Sequence, residues 1–230
     1  MTEFPYKIID LSHALDEYSP SWDGNCGFKN EVIADYAEGQ FRVQKLHLHA
    51  GIGTHMDAPA HCVPGGATID ELPLLKLISP CVVINVSQFA HERYNVSSQD
   101  IINFENKYGS ILPDSFVMIQ TGWERFWGDP EKYHNHHVFP AVSAKAAELL
   151  ITRDVCGLGI DTLSPDRPED GYSVHQIFLG NGKYLVENAA NLEHLPPQGS
   201  FILALPIKIR GATEAPIRLV GLINKDNLQN

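Results

Sequence analysis

The feature that most limits what this chain can become is its supply of short, dense apolar runs. CVVINVS, SFVMIQTGW and VCGLGID are each too short for a buried helix and lack the alternation of a half-exposed strand. They read as strands covered on both faces. SFILALPIKI and IRLVGLI add two more, YKIIDLSHAL opens with another, and FRVQKLHLHA alternates imperfectly but in the manner of a strand. SSQDIINFENKY reads as a helix with a serine cap before Gln99 and Asp100, and AVSAKAAELLITRD as the best helix, capped by Ser143. VHQIFLGNGKYLVENAANL holds a short helix, a turn at Asn181-Gly182 and a strand. IDELPLLKLI is expected to form a short helix, and GIGTHMDAPAHCVPGG an irregular Gly/Pro-rich segment. Strands outnumber helices and recur in strand–helix–strand units. The expected fold is therefore α/β: a single domain over residues 1–230, with a mixed β-sheet, helices outside it and loops carrying function.

Composition narrows the function. The 230 residues suit one large domain with a sizeable core. Asp and Glu outnumber Lys and Arg by 28 to 17, a formal net charge of -11, and no basic cluster offsets it, which argues against a nucleic-acid partner. No apolar run is long enough to cross a bilayer, so no membrane partner is expected. The opening MTEFPYKIIDLSH lacks the pattern of a secretory signal, and the cysteines at 26, 62, 81 and 156 form no CxxC pair. Both features point to a cytoplasmic protein with free thiols. Cys62, next to His61, reads as a buried small hydrophobe.

The chemistry concentrates at His55-Met56-Asp57-Ala58-Pro59-Ala60-His61. In an extended backbone His55 and Asp57 point to one side, so an imidazole nitrogen and a carboxylate oxygen converge, as a divalent zinc or manganese ion requires. Pro59 interrupts the strand, and the turn it forces can bring His61 back over that point. A catalytic zinc usually needs further ligands. His175 and Glu187 are candidates, but spacing alone does not separate His175 from His134, His136 or His137. HNHH at 134–137 reads as an exposed loop, Asp161 as a structural carboxylate at a strand end, and Trp123 and Trp127 as core aromatics.

GTHMDAPAH resembles the HxGTHxDxPxH motif of the cyclase-like metal-dependent hydrolases, the family that includes kynurenine formamidase and isatin hydrolase. IDLSHALDEYSPSWDG, MIQTGW, GLGIDTLSPD, the stretch from His175 through ENAANLEHLP, and LPIKIRGATEAPIRLVG are similar to further family segments. The resemblance implies a swivelling β/β/α fold and a site with one or two divalent ions, zinc or manganese. It implies metal ligation by His55, Asp57, His175 and Glu187, with Asp57 able to bridge two ions. His61 would be the catalytic acid/base and Trp22 would lie against a small-molecule substrate. The implied activity is arylformamidase-like hydrolysis of a small amide, an aryl formamide or a cyclic amide, with a lactone as the alternative, in a homodimer or larger homo-oligomer. One departure stands out. The family's first histidine falls at Gly51, so either that ligand is missing or His49 reaches the metal through a looped backbone, with His47 a weaker candidate. Loss of the imidazole would weaken metal binding, leave one ion instead of two, and favour a metal-binding protein with little turnover.

Overall fold

The computed structural model describes residues 4–228. In chain order it contains β1 (Tyr6–Asp10), β2 (Phe28–Ala34), the one-turn α1 (Tyr36–Gly39), β3 (Val43–Leu48), β4 (His55–Asp57) and β5 (Ile78–Asn85). Then come β6 (Asn95–Val96), α2 (Ser98–Tyr108), β7 (Phe116–Gln120), α3 (Pro130–His134), β8 (Ala141–Val142) and α4 (Ala144–Thr152). The last third holds β9 (Gly157–Ile160), α5 (Ser173–Gly180), β10 (Tyr184–Glu187), β11 (Ser200–Pro206) and β12 (Glu214–Asn224).

Eight strands form the main sheet in the order β1-β12-β11-β5-β7-β9-β10-β4. The β5–β7, β7–β9 and β9–β10 pairs are parallel and the rest antiparallel, so the sheet is mixed, as expected. It also closes on itself. β4 pairs antiparallel with β10 on one edge and with the start of β12 on the other. A three-residue strand thus joins β10 to β12 and closes seven of the eight strands into a ring, with β1 outside it on the far part of β12.

The apolar runs are explained by burial on both sides. Phe116, Met118, Val83 and Val186 face a core inside the curved sheet. Val117, Ile119, Val82 and Ile84 face outward against α2, α4 and α5, through residues such as Ile101, Leu150 and Phe178. Covering both faces of the parallel strands leaves no polar alternation for the sequence to show. Two helix starts follow the expected chemistry. Ser97 Oγ accepts from the Asp100 N–H (3.3 Å) while the Asp100 carboxylate accepts from the Ser97 N–H (2.8 Å). Ser143 Oγ accepts from the Ala146 N–H at 3.2 Å.

Three expectations need correction. The Gly/Pro-rich segment is not wholly irregular, because it contains β4. IDELPLLKLI forms two 3-10 turns, Ile69–Glu71 and Leu74–Leu77, on either side of Pro73, which cannot donate the hydrogen bond a continuous helix needs. β2 was not expected at all. It pairs only with β3, in a hairpin whose side chains are mostly exposed, so no strong apolar pattern marks it. Among the described residues, no helix is long and apolar enough to cross a membrane.

Candidate metal centre

β4 builds the site by alternation. Met56 turns into the inner core and is fully buried, so His55 and Asp57 share the opposite face. Each flanking strand adds a carboxylate to that face. Glu187 of β10 stands directly across from His55, and Glu214 of β12 directly across from Asp57. His175 arrives from the first turn of α5, which packs outside the sheet.

These groups converge. His55 Nε2 lies 3.3 Å from Glu187 Oε2 and 3.5 Å from Asp57 Oδ1. His175 Nε2 lies 3.4 Å from Glu187 Oε1 and 3.6 Å from Asp57 Oδ2. Both imidazoles are anchored at the other nitrogen. His55 Nδ1 is 2.8 Å from the Gly53 carbonyl oxygen, and His175 Nδ1 is 2.8 Å from Asp166 Oδ2. With Nδ1–H donated in each case, Nε2 of both rings is the atom offered to the centre. Gly53 has φ +62°, and a Cβ there would lie 2.2 Å from Leu15 Cδ2, so this tight turn requires glycine.

Electrostatics tie the four groups together. Burial opposes charge on His55, yet the Glu187 and Asp57 carboxylates outweigh it and raise His55 to about 9. Burial likewise opposes charge on His175, and Asp166, Asp57 and Glu187 hold it well above the usual imidazole range. On Glu187 burial again works against charge, and His175 and His55 overcome it, lowering the carboxyl to about 2. Such a field favours positive charge between the carboxylates.

A divalent cation fits this donor set. Asp57 Oδ1, Asp57 Oδ2 and Glu187 Oε1 are buried with no hydrogen-bond partner. Leaving carboxylate oxygens buried and unsatisfied is costly, and an ion among them removes the cost. Two imidazole nitrogens and two carboxylates are donors suited to a divalent metal ion. His55, Asp57 and Glu187 offer atoms within 4.8 Å of one another, and so do Asp57, His61 and Glu214.

A cavity of about 500 Å³ opens above these groups. His61 lines it from the exposed end of the 3-10 turn that Pro59 begins. Its ring centroid is 5.8 Å from that of His175, so the chain does swing back as the proline suggested. His61 Nδ1 is 3.2 Å from Glu214 Oε2, and this contact raises His61 above its ordinary value despite partial burial. Trp22 forms part of the cavity wall. Its carbonyl oxygen accepts from His134 Nε2 (2.9 Å) and His137 Nε2 (2.7 Å), and its ring packs on His137 at 4.2 Å between centroids.

The structure thus gathers His55, Asp57, His175, Glu187, His61 and Trp22 around one cavity. It does not bring His49 there. That side chain is exposed in the hairpin, with its ring against Gly27, and His47 instead pairs with Glu31 at 3.3 Å. No looped backbone carries either to the centre. HNHH is not simply an exposed loop, since His134 and His137 clamp Trp22. Cys62 is exposed at the cavity wall, not buried. Asp161 keeps its structural role, accepting from the Thr121 N–H (2.9 Å), the Thr121 hydroxyl (2.6 Å) and the Gly122 N–H (2.6 Å). Trp123 is buried, with Nε1 donating to the Tyr133 carbonyl oxygen at 2.9 Å, and Trp127 stacks on His13 at 3.9 Å. Two partners escaped the sequence. Asp166 looked like one more polar residue in LSPDRPEDG, and Glu214 lay just before the apolar run that marks β12.

A buried carboxylate–imidazole cluster beneath an open cavity, set on a mixed sheet, defines a candidate metal-site protein. The chain belongs to the family described as putative cyclase, whose pattern matches residues 9–167. It is 29% identical over 189 residues to an isatin hydrolase of Roseibium aggregatum, covering 75% of this chain and 72% of the relative. It is 30% identical over 217 residues to a kynurenine formamidase of Sphingopyxis alaskensis, covering 93% of this chain and 97% of the relative. Isatin hydrolase A from Labrenzia aggregata, solved bound to benzyl benzoate, superposes with a TM-score of 0.87 at 29% identity, covering 96% and 95% of the two chains.

Proposed function

We propose that this protein is a metal-dependent hydrolase that opens a small amide, an aryl formamide or a cyclic amide, inside the cavity over β4. The observation that carries this reading is the set of partnerless buried oxygens on Asp57 and Glu187, facing the free nitrogens of His55 and His175. These four residues would hold the ion, zinc or manganese, and Asp57 would also be available to a second one. The ion supplies Lewis acidity for the substrate carbonyl and acidifies the attacking water.

The remaining chemistry falls to the chain. His61 donates Nδ1–H to Glu214, which leaves Nε2 as its basic atom. Nε2 takes a proton as the water oxygen bonds to the carbonyl carbon. It returns that proton to the leaving nitrogen as the C–N bond breaks. Trp22 presents a flat face to an aryl group, held in place by the two histidines on its carbonyl. Lactones present the same carbonyl to the same groups and are the close alternative. The absent imidazole at position 51 favours a second reading, a metal-binding protein with little turnover.

Relatives with these activity names support the reading, as does the fold they share. We further propose one domain over residues 1–230 of the swivelling β/β/α type, in a cytoplasmic setting consistent with four unpaired thiols. A homodimer or larger homo-oligomer is supported by apolar side chains exposed on the hairpin, among them Ile33, Phe41 and Leu46. A monomer mass in light scattering would refute that assembly.

The test is a hydrolysis screen over N-formyl aryl amines, isatin-like lactams and lactones, with added zinc or manganese, on wild type and His61→Ala. Wild type should turn over an amide. The variant should keep its metal while kcat falls by about 10²- to 10⁴-fold. An unchanged rate would remove His61 from the chemistry, and metal binding without turnover of any substrate would favour the second reading.

A further inference from the structure

Position 51 lacks a side chain for a reason visible across the sheet. Gly51 is not in the left-handed region, so its backbone would accept any residue. The obstacle is Glu214. A Cβ at position 51 would lie 2.4 Å from Glu214 Oε1 and 3.3 Å from His55 Nε2. The carboxylate of Glu214 therefore fills the space beside His55 that a side chain at 51 would enter. We propose that Glu214 is a metal donor in its own right, supplying from β12 the ligand that position 51 lacks and holding a second cation beside Asp57. This rests on the metal-site reading above.

The geometry supports the assignment from three sides. Glu214 is registered directly across from Asp57, so both carboxylates leave the sheet on one face. Its two oxygens are divided in use: Oε2 meets His61 Nδ1 at 3.2 Å, and Oε1 faces the gap left by Gly51. Asp57, which the second cation would share, is 1% exposed, and neither of its oxygens has a hydrogen-bond partner. One ion among His55, Asp57 and Glu187 would take up part of that unmet capacity. A second ion would take the rest, since Asp57, Glu214 and His61 also offer donor atoms within 4.8 Å of one another.

Exchanging a neutral imidazole for a carboxylate also changes what the centre prefers. Asp57, Glu187 and Glu214 together make it richer in charged oxygen donors, and such donors suit manganese better than zinc. Glu214 thereby acts as a determinant of metal choice, besides holding His61.

The experiment uses chelator-stripped full-length protein, manganese ions alone as the probe, and equilibrium dialysis as the readout, with circular dichroism as a check on folding. Wild type should bind two ions per chain. Glu214→Gln and Glu214→Ala should keep the first and weaken the second at least tenfold. The double variant Gly51→His with Glu214→Ala should regain a second ion, now with zinc preferred. Two ions bound with unchanged affinity in both single variants would overturn the proposal. So would one ion in wild type, or loss of both ions together in folded variants. Wild type that binds no metal would overturn the metal-site reading as well, which separates the two failures.

Discussion

Asp166 Oδ2 accepts from both the backbone N–H of His175 (2.9 Å) and its Nδ1 (2.8 Å), while Oδ1 accepts from the Val174 N–H at 3.0 Å. One carboxylate thus satisfies free donors at the start of α5 and fixes the tautomer and aim of His175. Asp166→Ala should lower metal affinity by about 10- to 100-fold, read by competition with a chromophoric chelator. Affinity equal to wild type would show that His175 needs no such support. His55, Asp57 and His61 were legible because they crowd into seven residues. His175 and Glu187 were legible only through the family resemblance. Asp166 was not, because its role exists only once α5 folds back against the loop before it. Glu214 was hidden for a similar reason: an exposed-looking glutamate two residues ahead of a proline acquires meaning only in register with Asp57.

At the scale of elements, β4 is the critical one. It has three residues, too few to show any periodicity, and it is a strand only because β10 and β12 supply hydrogen bonds on both edges. The longer apolar strands and the two capped helices could be read directly, since burial and capping leave local marks. The single inward residue of β4, Met56, is fully buried among the inner core. Met56→Ala should cost about 2–5 kcal/mol of stability in denaturant unfolding. It should also weaken manganese binding, because the same alternation that buries Met56 aims His55 and Asp57. Full stability loss with no change in manganese affinity would separate the core packing of β4 from its role in the site.

Across the whole molecule, sheet closure is what turns separate segments into a centre. Ligand candidates at 55, 57, 175 and 187 come from two strands and a helix, spread over more than half the chain. Alternating strand geometry and Asp166 orient them without a dedicated binding loop. The α/β class and mixed sheet were readable from the apolar runs. Closure was not, since it depends on which edges meet and not on any local pattern. The central claim is that these four side chains hold a common cation. Anomalous diffraction from a crystal grown with manganese tests it most directly. The account predicts a peak bounded by His55 Nε2, Asp57, His175 Nε2 and Glu187. A crystal with manganese bound elsewhere and no peak among those four groups would contradict it.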